Sequence, residues 1–133
     1  MSENIMPIVA NYLLHLLLAS ILIVVFIMAY TRATPFDEIL LIRQGNIAAA
    51  LSLSGALMGF SLTLASCILH TADYQQFLAW SVGALIVQVL GYAATARLLR
   101  ISKEHIESGN VAFGAFIGAI SLSLGAINAA CIA

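Results

Sequence analysis

NIAAALSLSGALMGFSLTLASCIL, from Asn46 to Leu69, runs for twenty-four residues without an Asp, Glu, Lys or Arg. A helix that crosses the hydrocarbon core of a bilayer needs about 20 apolar residues, and this stretch supplies them in one run. At about 1.5 Å per residue it extends roughly 36 Å, enough to span with some tilt. In lipid its backbone groups must be satisfied internally, so a run of this length reads as a helix rather than a barrel strand.

Three similar stretches lie outward from it, from about Ile8 to Tyr30, Tyr74 to Arg97 and Asn110 to Ile132. Together the four nearly exhaust the 133 residues. Only 8% of the chain is charged and 62% is hydrophobic, against about 25% charged in soluble domains. There is too little polar surface to wet a globule, and no length remains for a soluble catalytic domain. The net charge of −1 offers no basic surface, so nucleic acid is excluded as a partner. The expected class is an all-α membrane protein, with residues 1–133 forming a single four-helix transmembrane domain whose first partner is the lipid bilayer. The first stretch is read as a retained helix: Met1 to Pro7 holds Glu3 and no Lys or Arg, and no small-residue cleavage site follows.

The loops set the expected orientation. Arg32 and Arg43 lie between the first two stretches, and Arg97, Arg100 and Lys103 between the last two; the other loop and both tails contain no Lys or Arg. The positive-inside rule puts both basic loops in the cytoplasm and both termini on the periplasmic or extracellular side.

The opening of the first quoted run has an echo. GNIAAA from Gly45 returns as GNVAFG from Gly109, and an offset of 64 residues also aligns Ile42 with Ile106, Ala65 with Ala129, and Cys67 with Cys131. The offset lays the first stretch on the third. Each repeat, about 8–69 and about 74–132, is then a helix pair, and the two share one orientation about a pseudo-two-fold axis along the membrane normal. Asn46 and Asn110 are expected to start helices, since an Asn side chain caps the free N–H groups of a first turn and Gly before it permits a sharp bend. Upstream, TPFDEILLIRQ from Thr34 predicts a short interfacial helix. Thr34 is its cap, Pro35 its first residue and Asp37 a capping-box-like acid, with Phe36, Ile39, Leu40 and Arg43 on one side.

The segments TPFDEILLIRQGNIAAALSLSGALMGF (34–60), VQVLGYAATARLL (87–99) and GAINAACIA (125–133) resemble the YjfL-like family of small bacterial inner-membrane proteins. The resemblance covers nearly the whole chain. It implies four transmembrane helices and an inner-membrane location, in a domain class named for having no known function, and it carries over no catalytic residues.

The first stretch is bulky and apolar all round apart from His15 and Ser20, which suits a lipid-facing helix. The second and fourth are rich in small residues, with Gly55 and Gly59 in one and Gly114 and Gly118 in the other. Small residues let helix backbones approach closely, so these two helices are expected to form the central pair. Intramembrane polar residues are the natural functional candidates, and here they are His15, Gln88 and Asn128, with no acid or base inside any stretch. Gln88 shares a face with Ala84, Gly91, Tyr92 and Thr95; it reads first as an interhelical hydrogen bond that fixes register and otherwise as a pore-lining group. Asn128 reads the same way. His15 has no evident acid partner and reads as a hydrogen-bonded structural residue.

No metal site is expected, because His105 lies at the opposite end of the chain's topology from His15 and His70. No cofactor motif and no nucleophile–base constellation is present, so the chain is not expected to be an enzyme. Cys67 and Cys131 read as small buried residues at pseudo-symmetric helix contacts, with a disulfide as the alternative in an oxidising compartment. Trp80 and the Tyr residues near helix ends read as interfacial anchors. Two functions fit: an accessory or scaffold protein that assembles with itself or a membrane partner through small-residue faces, or a small channel or transporter lined by neutral polar groups and acting as an oligomer.

Overall fold

The computed structural model describes residues 2–34, 36–98 and 103–133, and these are helical throughout apart from short connections. Six helices follow in order: α1 Ser2–Ala33, α2 Glu38–Arg43, α3 Ile47–His70, α4 Tyr74–Leu98, α5 Lys103–Glu107 and α6 Val111–Ile132. Four of them, α1, α3, α4 and α6, are long and apolar enough to cross a membrane. The expected spans agree, α1 being longer at both ends. The expected roles of Pro35 and Arg100 fall outside the described residues.

The helix boundaries follow from local chemistry. Asp37, not Thr34, caps α2: its carboxylate accepts from the Leu40 N–H at 3.2 Å. The Thr34 hydroxyl instead turns back to donate to the carbonyls of Thr31 and Phe36, finishing α1 rather than starting α2. The two Gly-Asn turns are built alike. Gly45 N–H donates to Ile42 C=O and Asn46 N–H to Leu41 C=O, while Gly109 N–H donates to Ile106 C=O and Asn110 N–H to His105 C=O. This is the Schellman arrangement, in which a left-handed residue just past a helix end returns two N–H groups to orphan carbonyls. Gly45 and Gly109 have φ of 84° and 81°, where a Cβ would be strained. The Asn side chains then cap the next helices, Asn46 accepting from Ala49 N–H at 3.0 Å and Asn110 from Phe113 N–H at 3.3 Å.

The most extensive packing in the bundle is between α3 and α6. They run parallel with their starts side by side, because the Asn46 side-chain amide donates to the Ile106 carbonyl at 2.8 Å. Down the interface Gly114 lies against the backbone of Ala48, Gly118 against Leu51 and Ser52, Gly55 against Gly118, and Gly59 against Ser121. Gly125, which the spacing of the two glycine pairs does not pick out, presses on the backbone of Gly59. With lipid as solvent there is little hydrophobic drive to pair helices, and close backbone contact supplies the dispersion attraction instead.

The outer helices dock through single stripes. From α4, Phe77, Ser81, Ala84, Gln88 and Tyr92 are buried, a spacing of three and four that keeps one face inward. From α1, Leu22, Phe26 and Tyr30 are buried; Phe26 stacks on Phe60 at 4.5 Å and Tyr30 meets Tyr92 edge-on at 5.2 Å. The rest of α1 is largely exposed apolar surface, as suits a helix bathed in lipid. Tyr30 and Tyr92 are therefore core residues, not interfacial anchors; Trp80 and Tyr12 do face outward.

The outer helices cover the central pair unevenly. α4 packs against both α3 and α6, whereas α1 packs on α3 and α4 with no comparable contact to α6. The two cysteines show the consequence. Cys67 is buried while Cys131 is exposed, and both are free thiols. Neither shared burial nor a disulfide describes them, because the flank of α6 has no covering helix equivalent to the one over Cys67.

Candidate functional site

The polar interior is assembled from four elements near the end of the bundle that carries the Gly-Asn turns. Its least expected member is Glu38. The four spans hold no acid in their interiors, as the sequence indicates, yet the first residue of α2 is a carboxylate with no solvent exposure. The short helix is inverted relative to a soluble amphipathic one. Its acid points into the bundle, Phe36 just before it is also buried, and Ile39, Leu40 and Ile42 face outward. Phe36 therefore does not share a face with Ile39, Leu40 and Arg43. A helix lying in a lipid interface favours this arrangement, since its outward face meets acyl chains rather than water.

Both carboxylate oxygens of Glu38 are buried without a hydrogen-bond partner. Thr34 is adjacent, but its hydroxyl is already committed to backbone carbonyls. Tyr30 and Tyr92 lie within electrostatic reach. Burial raises the Glu38 carboxyl well above the usual range, to about 7, and the neighbouring Asp37 charge adds to the effect. Taking a carboxylate out of water without a compensating charge disfavours its ionised form.

Deeper in, the Tyr30 hydroxyl neighbours Ser52 and Ser121, and both the Tyr30 and Ser52 oxygens lack a hydrogen-bond partner. Gln88 follows, 1% exposed. Its Nε2 donates to the Ser121 carbonyl at 2.8 Å and rests beside Gly59, so α4 is tied to the α3–α6 crossing where a glycine makes room for the amide. Its Oε1 has no partner. Further along, Thr63 donates to the Gly125 carbonyl at 3.0 Å and Ser66 to the Ala129 carbonyl at 2.6 Å. Small side chains thus stitch α3 to α6 along the shared interface.

The other candidates stand apart. His15 is at the far end, where its ring Nδ1 donates to the Asn11 carbonyl at 2.9 Å and the ring packs on Tyr74 and Phe77. Tyr74 donates to the Asn11 side chain at 2.9 Å, so this cluster fastens α1 to α4. Asn128 is half-buried with its amide nitrogen unpaired. His15, Gln88 and Asn128 therefore do not converge on one site. Among the described residues no group of three or more His, Cys, Asp or Glu side chains comes together as metal ligands would. Sequence reasoning missed Glu38, Tyr30, Ser52 and Ser121. The signal available for Glu38 was its place between apolar neighbours in a six-residue helix; the others needed the packing.

Comparison with known proteins agrees with this architecture. The family model for Domain of Unknown Function (DUF350) matches residues 3–132. The chain is 33% identical over 111 residues to the UPF0719 inner membrane protein YjfL of Escherichia coli (strain K12), and likewise to that of Escherichia coli O157:H7, covering 84% of this chain and 84% of each relative. No solved structure matches. The chain belongs to the DUF350 family and is a multi-pass protein of the inner membrane.

Proposed function

We propose that this member of the DUF350 family is a non-enzymatic accessory or scaffold protein that works by assembling with a second copy or a membrane partner. The carrying observation is the shallow groove left on the outer side of the α3–α6 pair. It is lined by Ser54, Gly55, Met58, Ala115, Ala119 and Leu122, beside the flank of α6 that α1 leaves uncovered. Small side chains there allow another helix to approach closely. Backbone contact along α3 and α6 leaves no room between them for a solute, which favours assembly over conduction through one bundle.

The orientation belongs to the same reading. Arg32, Arg43 and Arg97 lie in the last turns of α1, α2 and α4 toward the Gly-Asn end, and Arg100 and Lys103 follow Arg97 in sequence; on the positive-inside rule this end is cytoplasmic and the termini periplasmic. The matching turns at Gly45 and Gly109 support descent from a duplicated two-helix unit.

Oligomeric mass in nanodiscs tests the assembly. The expected result is a dimer or larger species that Ala119→Phe dissociates without unfolding. A monomer at every concentration overturns the assembly, and solute flux through an oligomer in liposomes that Gln88→Ala or Asn128→Ala abolishes replaces this reading with the channel.

A further inference from the structure

We propose that Glu38 is a proton-binding site that couples proton uptake at the Gly-Asn end of the bundle to the seating of α2. The basis is a geometric mismatch. Glu38 has no exposed surface, both oxygens lack a hydrogen-bond partner, and among the described residues the neighbour that favours its charged form is the Thr34 hydroxyl, not a cation. A carboxylate so placed has neither solvent nor a counter-charge to stabilise it. A proton removes the charge and converts one oxygen into a donor.

The surroundings fit a neutral acid. Tyr30 from α1 and Tyr92 from α4 lie within electrostatic reach of it, Thr34 and Asp37 precede it in the chain, and Ser52 of α3 and Ser121 of α6 neighbour Tyr30. The only charge in this set besides Glu38 is Asp37, which is also negative and so favours the protonated form. The unpartnered oxygens of Tyr30 and Ser52 offer acceptors toward which an acid proton can be passed. A metal cation suits the group less well, since a single carboxylate faces it.

Two properties make α2 able to respond. It is six residues long, too short to hold its helix without tertiary contact. It is also bounded by bends at Thr34 and Phe36 and by the turn at Gly45, where it can pivot. When Glu38 loses its proton, the charge draws α2 out of its seat toward the headgroups, where water reaches the carboxylate. The sign follows from the raised value. A carboxyl at 4.5 when solvated and about 7 when seated favours the seated state fully below 4.5. That preference is lost as pH rises through about 7, and the seating equilibrium changes by roughly 10²- to 10³-fold in total.

The test uses the full-length protein in nanodiscs. Difference infrared spectroscopy follows the carboxylic C=O band while hydrogen exchange reports on amides 38–45, corrected for intrinsic rate, from about pH 5 to about pH 9. The expected result is an acid band that persists to about pH 7, above the value of about 4 for solvated carboxyls, with α2 protection falling over the same range. Glu38→Gln should remove the band and hold α2 protected at every pH. Loss of all acid signal by about pH 5.5, or protection in the wild type that does not change with pH, overturns the proposal. The wild-type titration decides the matter even if Glu38→Gln does not fold.

Discussion

Replacing Gly59 by Ala probes the contact on which the bundle depends. A Cβ at this position would sit 2.6 Å from the Ser121 carbonyl oxygen, 3.1 Å from Gln88 Nε2 and 3.2 Å from Leu122 Cα, where ordinary Cβ contacts begin at 3.4 Å. Two of the three are backbone atoms and cannot rotate away. In a close-packed pair α6 must therefore withdraw by about 1 Å, and Gly125, which presses on Gly59 from the other helix, moves with it. Overpacking of this kind costs about 1–3 kcal/mol. The Gln88 bond to the Ser121 carbonyl is strained at the same time, and interhelical hydrogen bonds in membranes contribute about 0.6–1.7 kcal/mol. The expected loss is about 2–4 kcal/mol, read from SDS-induced or thermal unfolding in a fixed detergent by circular dichroism. Gly83→Ala is the matched control, since a Cβ there meets nothing within 4 Å; it should be neutral or stabilise by up to about 1 kcal/mol. If Gly59→Ala unfolds within about 0.5 kcal/mol of Gly83→Ala, the α3–α6 crossing is looser than described and the argument against a lumen fails with it.

Two other outcomes follow from the ends of the bundle. Asn46→Ala removes both a helix cap and the link to the Ile106 carbonyl, so it should lose about 2–3 kcal/mol, against about 1 kcal/mol for the cap alone in Asn110→Ala; equal losses in the same unfolding assay would refute the link between the turns. Maleimide added to folded protein should label one thiol per chain, at exposed Cys131 and not at buried Cys67, and Cys131→Ser should abolish labelling. Applied to intact cells, an impermeant maleimide that reaches the periplasm should label Cys131; failure there, with labelling in inverted vesicles, would reverse the proposed orientation.

The sequence alone determined the four spans, because the absence of charge over bilayer-length runs depends on composition and needs no neighbour. It also determined the turns at Gly45-Asn46 and Gly109-Asn110, where positive φ and helix capping are properties of single residues and their nearest N–H groups. The glycine pairs Gly55 with Gly59 and Gly114 with Gly118 were legible for a similar reason, since small residues at a spacing of four mark a face. Other features depended on which surfaces meet. Gly125 joins the interface only because α3 and α6 cross in one register. Cys67 and Cys131 differ only because α1 and α4 cover the central pair unevenly. Tyr30 and Tyr92 turned inward because two outer helices pack there. Glu38 is the clearest case. In the chain it is one of two adjacent acids, Asp37 and Glu38, in a short polar-to-apolar segment; Asp37 caps the helix locally, and only the docking of α2 puts Glu38 out of reach of water. Burial is set by the atoms of other helices, and it is burial that changes the chemistry of that carboxyl.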